Sequence, residues 1–380
     1  MRIHRLEIED FRNYRQARLT LPAGLVLIVG PNGAGKTNLM EAVGLAATGR
    51  SPRGAADGDL IRHGAGRCRV RVEARHRRGA IEVEAVIAAP GTKRLLLNGR
   101  PVRRRSDLLG HLPLVTFFPD DLALVKGTPS LRRRFLDLLI SQCRPRHAAE
   151  VQQYASVLRQ RNSLLGDIRR GSASKELADL FDEQLVRAGV SIIARRLHFV
   201  KELEKVGAPI QEAVGEEKLG LAYSLAGREP RTLETVDLPA EDQLAGWAQE
   251  QIEHLRQEEI RRGYTLWGPH RDDLVIRLDG RDARMYASQG QQRTVVLALK
   301  MSEIRLLTGL HGETPLVILD DVLSELDQRR TDALLHHLAQ VEQVFLTATR
   351  QPDGVAAGAA VLAVAGGQVL QGINGTGSNH

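Results

Sequence analysis

The octapeptide GPNGAGKT at positions 30–37 constrains this 380-residue chain more than any other feature, because it matches the phosphate-binding pattern GxxxxGK[ST] throughout. The apolar run LVLIV at 25–29 predicts a buried strand before it, and TNLMEAV at 37–43 predicts the start of a helix after it. Glycines let backbone N–H groups surround phosphate oxygens at a helix N-terminus. The pattern predicts a nucleoside triphosphate site in an α/β protein; the alternative is a glycine-rich turn that ends in Lys-Thr by chance.

Each residue type in this loop has a predicted task. The Lys36 ammonium reaches the β and γ phosphates, and the Thr37 hydroxyl ligates Mg²⁺. A nucleoside triphosphate and Mg²⁺ are therefore the expected ligands. The predicted nucleotide-binding residues of the loop are Gly30, Pro31, Asn32, Gly33, Ala34, Gly35, Lys36, Thr37 and Asn38.

A second motif, LVILDD at 316–321, consists of four apolar residues followed by two carboxylates. This pattern is typical of a buried parallel strand whose carboxyl end presents acids to a nucleotide. Asp320 is predicted to hold Mg²⁺, directly or through water, and Asp321 to orient or deprotonate the attacking water. A surface Asp-Asp pair at a strand end is the alternative.

A third motif, SQGQQR at 288–293, precedes the apolar-periodic segment 294–307, which predicts a helix. Ser288 and Gly290 then lie at a helix N-terminus, a second place suited to phosphate. We predict that Ser288, Gly290 and Gln291 contact nucleotide. The predicted catalytic residues of the whole chain are Lys36, Ser288, Asp320 and Asp321.

Composition narrows the class of protein. An apolar content of 42% supports a proper core, and the absence of a long apolar run argues against a membrane protein. Cys68 and Cys143 are the two cysteines and form no CxxC pair, which favours a reducing cytosol over a disulfide framework or a zinc site. We therefore expect a cytoplasmic protein.

The charge is distributed unevenly. Residues 1–170 carry 31 Lys and Arg against 15 Asp and Glu, although the net charge of the chain is only +7. The pattern favours a DNA backbone as partner; solvated faces of an arginine-rich protein are the alternative. With 4% aromatic residues, duplex or backbone contact is favoured over base stacking. The clustered positions are Arg62, Arg67, Arg69, Arg71, Arg75, Arg77, Arg78, Arg100, Arg103, Arg104, Arg105, Arg132, Arg133, Arg134, Arg144 and Arg146.

The order of these motifs resembles the ABC ATPase arrangement, and the details resemble the RecF family of its SMC-like branch. The resemblance spans nearly the whole chain. It is carried by residues 3–11, FRNY at 11–14, the loop 30–38, FPDDL at 118–122, VKGTPS at 125–130, RRRFLD at 132–137, GPHRDD at 268–273, SQGQQR at 288–293 and DDVLSELD at 320–327.

The resemblance implies a fold: an ABC-type ATPase head of the P-loop class, with a mixed β-sheet lobe and an inserted, mostly helical second lobe. Residues 1–122 and 290–371 would form the ATPase lobe, and 123–289 the helical lobe, which carries at its end the signature motif of such ATPases, here the SQGQQR that begins at Ser288. A long helix is predicted at 175–205, and the tail 372–380 is expected to be disordered.

The resemblance also implies an activity. Such proteins form a head-to-tail, two-fold dimer in which the signature serine of one protomer touches the γ-phosphate held by its partner. We expect a nucleoid-associated, weak, DNA-stimulated ATPase that acts at gaps or single-strand/double-strand junctions. With RecR and RecO it would promote RecA loading in DNA repair, replication-fork recovery and the SOS response. An SMC-like structural clamp with incidental hydrolysis, or the nucleotide-binding subunit of a transporter, are the alternatives.

The sequence departs from the wider superfamily at two catalytic positions. Asp321 stands where ABC ATPases usually carry Glu, which predicts slow turnover because the shorter carboxylate places water less well. The switch histidine expected after the strand at 343–346 is missing, and Thr347 or Thr349 is there instead. His336 and His337 fall on the preceding helix, where a solvated face is expected.

Two further features have no assigned role. Gln142 is a candidate for the glutamine that links the two lobes of such ATPases, or is a surface residue of a helix. The chemistry of GPHRDD at 268–273 does not indicate a function, and nothing in its spacing supports His270 as a general base.

Overall fold

Strands from the two ends of the chain meet in one structural unit, and the segment between them forms a second. The computed structural model describes residues 1–89, 91–228, 230–236, 238–351 and 359–370. The first unit comprises Met1–Asp121 and the described residues from Glu303 onward, and the second comprises Leu122–Ser302. The predicted tail at 372–380 lies outside the described residues.

The amino-terminal part of the first unit is mainly β. Its elements are β1 Arg2–Phe11, β2 Tyr14–Thr20, β3 Gly24–Val29, α1 Lys36–Thr48, β4 Arg67–His76, β5 Gly79–Ala88, β6 Thr92–Leu97, β7 Arg100–Pro101 and β8 Leu114–Phe117. An antiparallel sheet has the strand order β2-β1-β4-β5-β6-β7. Alternate residues of β4 and β5 are buried in one hydrophobic cluster with side chains of α1, so the pleat produces one core face and one charged face.

The second unit combines helices with a small sheet. Its elements are α2 Ala123–Lys126, α3 Pro129–Cys143, α4 Arg146–Arg169, α5 Leu177–Gly215, β9 Leu219–Leu225, β10 Arg231–Glu234, α6 Glu241–Arg262, β11 Asp273–Leu278, β12 Arg281–Asp282, α7 Ala283–Tyr286 and α8 Gln289–His311. The antiparallel sheet has the order β10-β9-β11-β12. The boundary between the two units falls within α8.

The remaining elements complete the first unit. They are β13 Leu316–Asp320, α9 Gln328–Leu338, β14 Gln343–Ala348, β15 Ala360–Ala365 and β16 Gln368–Leu370. A second sheet has the order β16-β15-β3-β14-β13-β8, in which β8, β13, β14, β3 and β15 are parallel. Every residue of β13 is buried, as expected for a central parallel strand covered on both faces.

Several sequence predictions need correction here. The long helix predicted at 175–205 continues to Gly215 as α5, with Pro209 inside it, because packing of its apolar face outweighs the helix-breaking tendency of proline. The sequence also did not predict the sheet that β9, β10, β11 and β12 form in the second unit. Gln142 is buried at 1% exposure, so its interpretation as a surface residue is wrong. No helix in the described part of the chain is apolar over a length that would cross a bilayer.

Candidate nucleotide site and signature turn

Strand order brings three separated segments to one edge of the parallel sheet. Strand β14 lies between β3, which leads into the phosphate loop, and β13, which ends in the two acids. Thr347 of β14 is in register with Asp320 on one side and with Ile28 on the other. Ligands of open α/β sheets bind beyond the carboxyl ends of such strands, so this edge is the candidate nucleotide site.

The phosphate loop has the backbone geometry that its glycines allow. Gly33 and Gly35 have φ angles of 77° and 117°, in the left-handed region that side chains disfavour. The Nζ atom of Lys36, at the first residue of α1, donates hydrogen bonds to the carbonyl oxygens of Gly30 (2.7 Å) and Pro31 (3.1 Å). The predicted cation thus lies inside the loop, buried at 7% exposure.

A continuous set of hydrogen bonds joins the loop to the acidic strand. Thr37 Oγ1 donates to Asp320 Oδ2 (2.8 Å), and Thr347 Oγ1 donates to Asp320 Oδ1 (2.7 Å). The backbone N–H of Asp321 donates to Thr347 Oγ1 (3.0 Å). A hydroxyl and a carboxylate held together are the hard oxygen donors that Mg²⁺ prefers, so this pair fits the predicted metal.

Asp321 has a constrained backbone. Its φ angle is 55°, a left-handed conformation that Asp tolerates better than most side chains. Its carbonyl oxygen accepts a hydrogen bond from Ser324 Oγ (2.8 Å). The N–H and the carbonyl of Asp321 are therefore both held, and the residue as a whole is half-buried.

The turn between β1 and β2 also holds the phosphate loop, a role that sequence reasoning did not assign. Asn13 Nδ2 donates to the Ala34 carbonyl (3.1 Å), and Tyr14 Oη donates to the Gly35 carbonyl (2.9 Å). Asn38 Nδ2 donates to Asn13 Oδ1 (2.9 Å). A Cβ atom on Gly35 would lie 2.7 Å from Asn13 Nδ2 and 2.9 Å from Tyr14 Oη, so any other residue here would displace the side chains that hold the loop. Burial raises the pKa of Tyr14, which keeps the phenol a donor.

The neighbouring Arg12 fixes the helix that follows the loop. Its guanidinium donates to both carboxylate oxygens of Glu41, at 2.8 and 2.9 Å, and Glu41 on α1 is fully buried. Ser51 Oγ donates to the same carboxylate at 2.5 Å. The only signal for these roles was the FRNY string itself.

The signature residues lie in the second unit and form a reciprocal cap at the start of α8. The N–H of Ser288 donates to Gln291 Oε1 (2.8 Å), and the N–H of Gln291 donates to Ser288 Oγ (3.2 Å). Ser288 is exposed and Gly290 is half-buried. The structure thus places Lys36, Thr37, Asp320 and Asp321 together in one unit. The predicted contacts Ser288, Gly290 and Gln291 belong to the other.

The motif GPHRDD at 268–273 forms a buried polar network rather than a catalytic site. Tyr154 Oη lies 2.7 Å from His270 Nδ1, and Arg196 donates to the Pro269 carbonyl (2.7 Å). Burial, with the nearby charge of Arg271, lowers the pKa of His270 to about 4. Gly268 has a φ angle of 127°, and a Cβ there would lie 2.2 Å from Tyr154 Oη.

The two aspartates of this motif tie several elements together. Asp272 accepts hydrogen bonds from Tyr223 Oη (3.1 Å) and from the Ala226 N–H (2.9 Å), and its burial raises its pKa to about 7. Asp273 accepts two hydrogen bonds from Arg132 (2.7 and 2.8 Å). The motif therefore positions α3, α4, α5 and β9 around β11.

The arginine clusters divide into paired and exposed side chains. Arg69 and Arg71 on β4 form ion pairs with Glu84 and Glu82 of β5, and Arg132 is buried. Such arginines are held by carboxylates and have little capacity left for phosphate. The exposed arginines of the first unit's clusters include Arg67, Arg75, Arg78, Arg100, Arg103 and Arg104.

The chain is similar to known proteins over most of its length. The family model described as RecF/RecN/SMC N terminal domain matches residues 2–366. The DNA replication and repair protein RecF of Symbiobacterium thermophilum is 40% identical over 358 residues, covering 93% of this chain and 92% of that protein. RecF of Bacillus subtilis is 38% identical, with coverages of 93% and 95%.

Solved structures show the same likeness. A structure of the recombination mediator protein RecF-ATP in the RecFOR pathway is 31% identical, with a TM-score of 0.91, and covers 98% of this chain and 97% of that one. An Smc head bound to the C-winged helix domain of ScpA is 15% identical with a TM-score of 0.53, with coverages of 97% and 96%, and shares the fold. These findings confirm the predicted ABC-type ATPase fold.

Proposed function

This chain belongs to the RecF family of SMC-like ABC ATPases, and we propose that it is an ATP-dependent recombination mediator that binds DNA and dimerises when ATP is bound. It acts at gaps or single-strand/double-strand junctions and promotes RecA loading with RecR and RecO. Its family membership and the RecFOR pathway named for the similar solved structure support this role.

The observation that carries the ATPase proposal is the hydrogen-bonded series from Thr37 through Asp320 and Thr347 to Asp321. Lys36 binds the terminal phosphates, and the Asp321 carboxylate orients the attacking water. Thr37 and Asp320 are the residues that would hold Mg²⁺, which neutralises phosphate charge when bound. We propose that hydrolysis is slow and stimulated by DNA.

The exposed Ser288 turn supports the dimerisation proposal. It offers a hydroxyl and helix N-terminal N–H groups, the donors that a phosphate accepts. In the proposed dimer, the γ-phosphate held by one protomer is bound by the Ser288 turn of its partner. ATP binding then changes the oligomeric state, and hydrolysis reverses the change.

Two substitutions test this function. Lys36→Arg should leave ATP binding measurable but nearly abolish hydrolysis, whereas Lys93→Arg, the same change elsewhere in the first unit, should leave hydrolysis unchanged.

Ser288→Arg should bind ATP but remain monomeric in light scattering. Ser163→Arg, at an exposed position on α4, is the control and should dimerise as the wild type does. A Ser288→Arg protein that dimerises as readily as the wild type would contradict the shared site.

A further inference from the structure

The turn that follows the long helix α5 contacts the signature turn through one carboxylate. Glu217 Oε1 accepts a hydrogen bond from Gln291 Nε2 (2.9 Å), and Glu217 Oε2 accepts one from Gln211 Nε2 (3.2 Å). Gln291 is the residue whose Oε1 atom holds the Ser288 N–H. One side-chain amide therefore connects Glu217 to Ser288.

This connection fixes the orientation of the Gln291 amide. Its oxygen accepts from the Ser288 backbone and its nitrogen donates to a carboxylate, so a flipped amide would lose both bonds. Without Glu217, the Gln291 amide would keep only its hydrogen bond with the Ser288 N–H and lose the one that its Nε2 donates. The reciprocal cap, and with it the position of the Ser288 hydroxyl, then becomes less well determined.

The backbone around Glu217 is itself held close to α8. Glu216 has a φ angle of 73°, which ends α5 in a left-handed turn. A Cβ atom on Gly215 would lie 2.8 Å from Thr294 Cγ2 in the first turns of α8. Glu217 thus projects from a closely packed turn and not from a loose loop.

Electrostatics alone disfavours an acid here. A carboxylate one side chain away from a turn that receives phosphate lowers the anion affinity of that turn by repulsion. The hydrogen bonds from Glu217 through Gln291 to Ser288 offset this repulsion, because they hold the turn in one conformation. We propose that Glu217 is a positioning residue, which acts through Gln291 to hold the Ser288 turn in the conformation that binds the partner's nucleotide; this rests on the proposed function.

Two substitutions of Glu217 separate position from charge. Glu217→Gln removes the charge but can keep a hydrogen bond to each glutamine. Its new Oε1 can accept from Gln291 Nε2, and its Nε2 can donate to Gln211 Oε1 once the Gln211 amide flips. That oxygen has no hydrogen-bond partner among the described residues. Glu217→Leu removes charge and contacts together. Glu212→Leu, at an exposed position one turn earlier on α5, is the matched control.

Analytical ultracentrifugation in the presence of a non-hydrolysable ATP analogue measures the dissociation constant of the dimer. The affinity of the monomer for the analogue is measured in parallel. Glu217→Leu should weaken the dimer about thirtyfold, or about 2 kcal/mol at 1.36 kcal/mol per tenfold, because each dimer contains the turn twice. Glu217→Gln should stay within about threefold of the wild type. The affinity of the monomer for the analogue should not change in either variant.

Wild-type dimerisation of Glu217→Leu, or an equal loss in Glu217→Gln, would overturn the positioning role. If Glu217→Leu does not fold, Glu217→Asp replaces it: the shorter acid should weaken the dimer at least threefold, and a wild-type value would overturn the inference. If Ser288→Arg is monomeric and Glu217→Leu dimerises as the wild type does, this inference is refuted but the proposed function is still supported.

Discussion

At the scale of single residues, the candidate site depends on hydroxyl and amide groups placed between the charged ones. Thr347 accepts from the Asp321 backbone and donates to Asp320, so one threonine sets the relative position of two acids. Asn13 does the same between the phosphate loop and α1. These neutral groups carry no catalytic charge, yet they determine where the charged groups lie.

Asn13→Ala should weaken ATP binding about tenfold, because two hydrogen bonds that hold the phosphate loop are lost at about 0.5–1.5 kcal/mol each. The measurement is a titration of the protein with a fluorescent ATP analogue. Gln16→Ala, at an exposed position on β2, should bind as the wild type does. An unchanged affinity of Asn13→Ala would show that the loop holds its shape without this side chain.

Asp321→Glu should raise the rate of ATP hydrolysis, because the added methylene brings the carboxylate closer to the attacking water. The left-handed backbone, with a φ of 55°, favours Asp over Glu and makes the expected gain modest, about threefold. Single-turnover hydrolysis measures it. A slower Asp321→Glu protein with unchanged ATP affinity would show that Asp is the optimal acid here.

At the scale of elements, the buried network around β11 determines how the second unit packs. Arg196 of α5 pairs with Asp137 of α3 and donates to Tyr223 of β9 (2.9 Å). Burial alone would raise the pKa of Asp137, but Arg196 and His147 outweigh it and lower that pKa to about 2. The network holds helices to the sheet at the base of the segment that leads to the signature turn.

Asp272→Asn tests this network through pH. The pKa of Asp272 is about 7 in the folded protein and 3.8 in the reference state, so the folded state binds its proton more tightly. The wild type therefore loses stability from this group as pH rises from about 4 to about 7. The asparagine variant lacks that titration: its Oδ1 can still accept from the Ala226 N–H, and its Nδ2 can donate to Tyr223 Oη.

Chemical denaturation of both proteins at pH 5 and pH 8 measures the effect. The free energy of unfolding of Asp272→Asn, relative to the wild type, should be higher at pH 8 than at pH 5, by on the order of 2 kcal/mol. Arg196, Arg133 and Tyr223 act on the same carboxyl, and they are unchanged in both proteins. An equal difference at the two pH values would place the Asp272 pKa near its ordinary value.

At the scale of the whole molecule, the arginine clusters differ in how far neighbouring carboxylates neutralise their positive charge. The paired arginines of β4 belong to the charged outer face of a sheet, where glutamates on β1 and β5 neutralise them. Among the described residues, no carboxylate forms a salt bridge with the exposed Arg100, Arg103 or Arg104, and Arg100 of β7 lies opposite Leu97 of β6. We therefore propose that they provide more of the DNA contact.

Replacing Arg100, Arg103 and Arg104 together by Ala should weaken duplex DNA binding and reduce the slope of log K against log salt by about 2 to 3 units. Fluorescence anisotropy at several salt concentrations measures this slope. The Arg69→Ala, Arg71→Ala double variant is the control, because its carboxylate partners leave the slope nearly unchanged. A larger change of slope in the control variant would indicate that DNA contacts the outer face of β4 instead.

The sequence by itself determined the phosphate loop, the acidic strand and the signature turn, because in each the chemistry lies in contiguous residues with a fixed spacing. It also indicated the fold, through the resemblance of those motifs and their order to the ABC ATPases. It did not indicate the partners of Asn13, Thr347, Glu217 or the GPHRDD motif. Those contacts join residues that are far apart in sequence, and a hydrogen bond between distant residues leaves no local pattern. Tertiary packing alone decided them, as it decided which arginines face carboxylates and which face solvent.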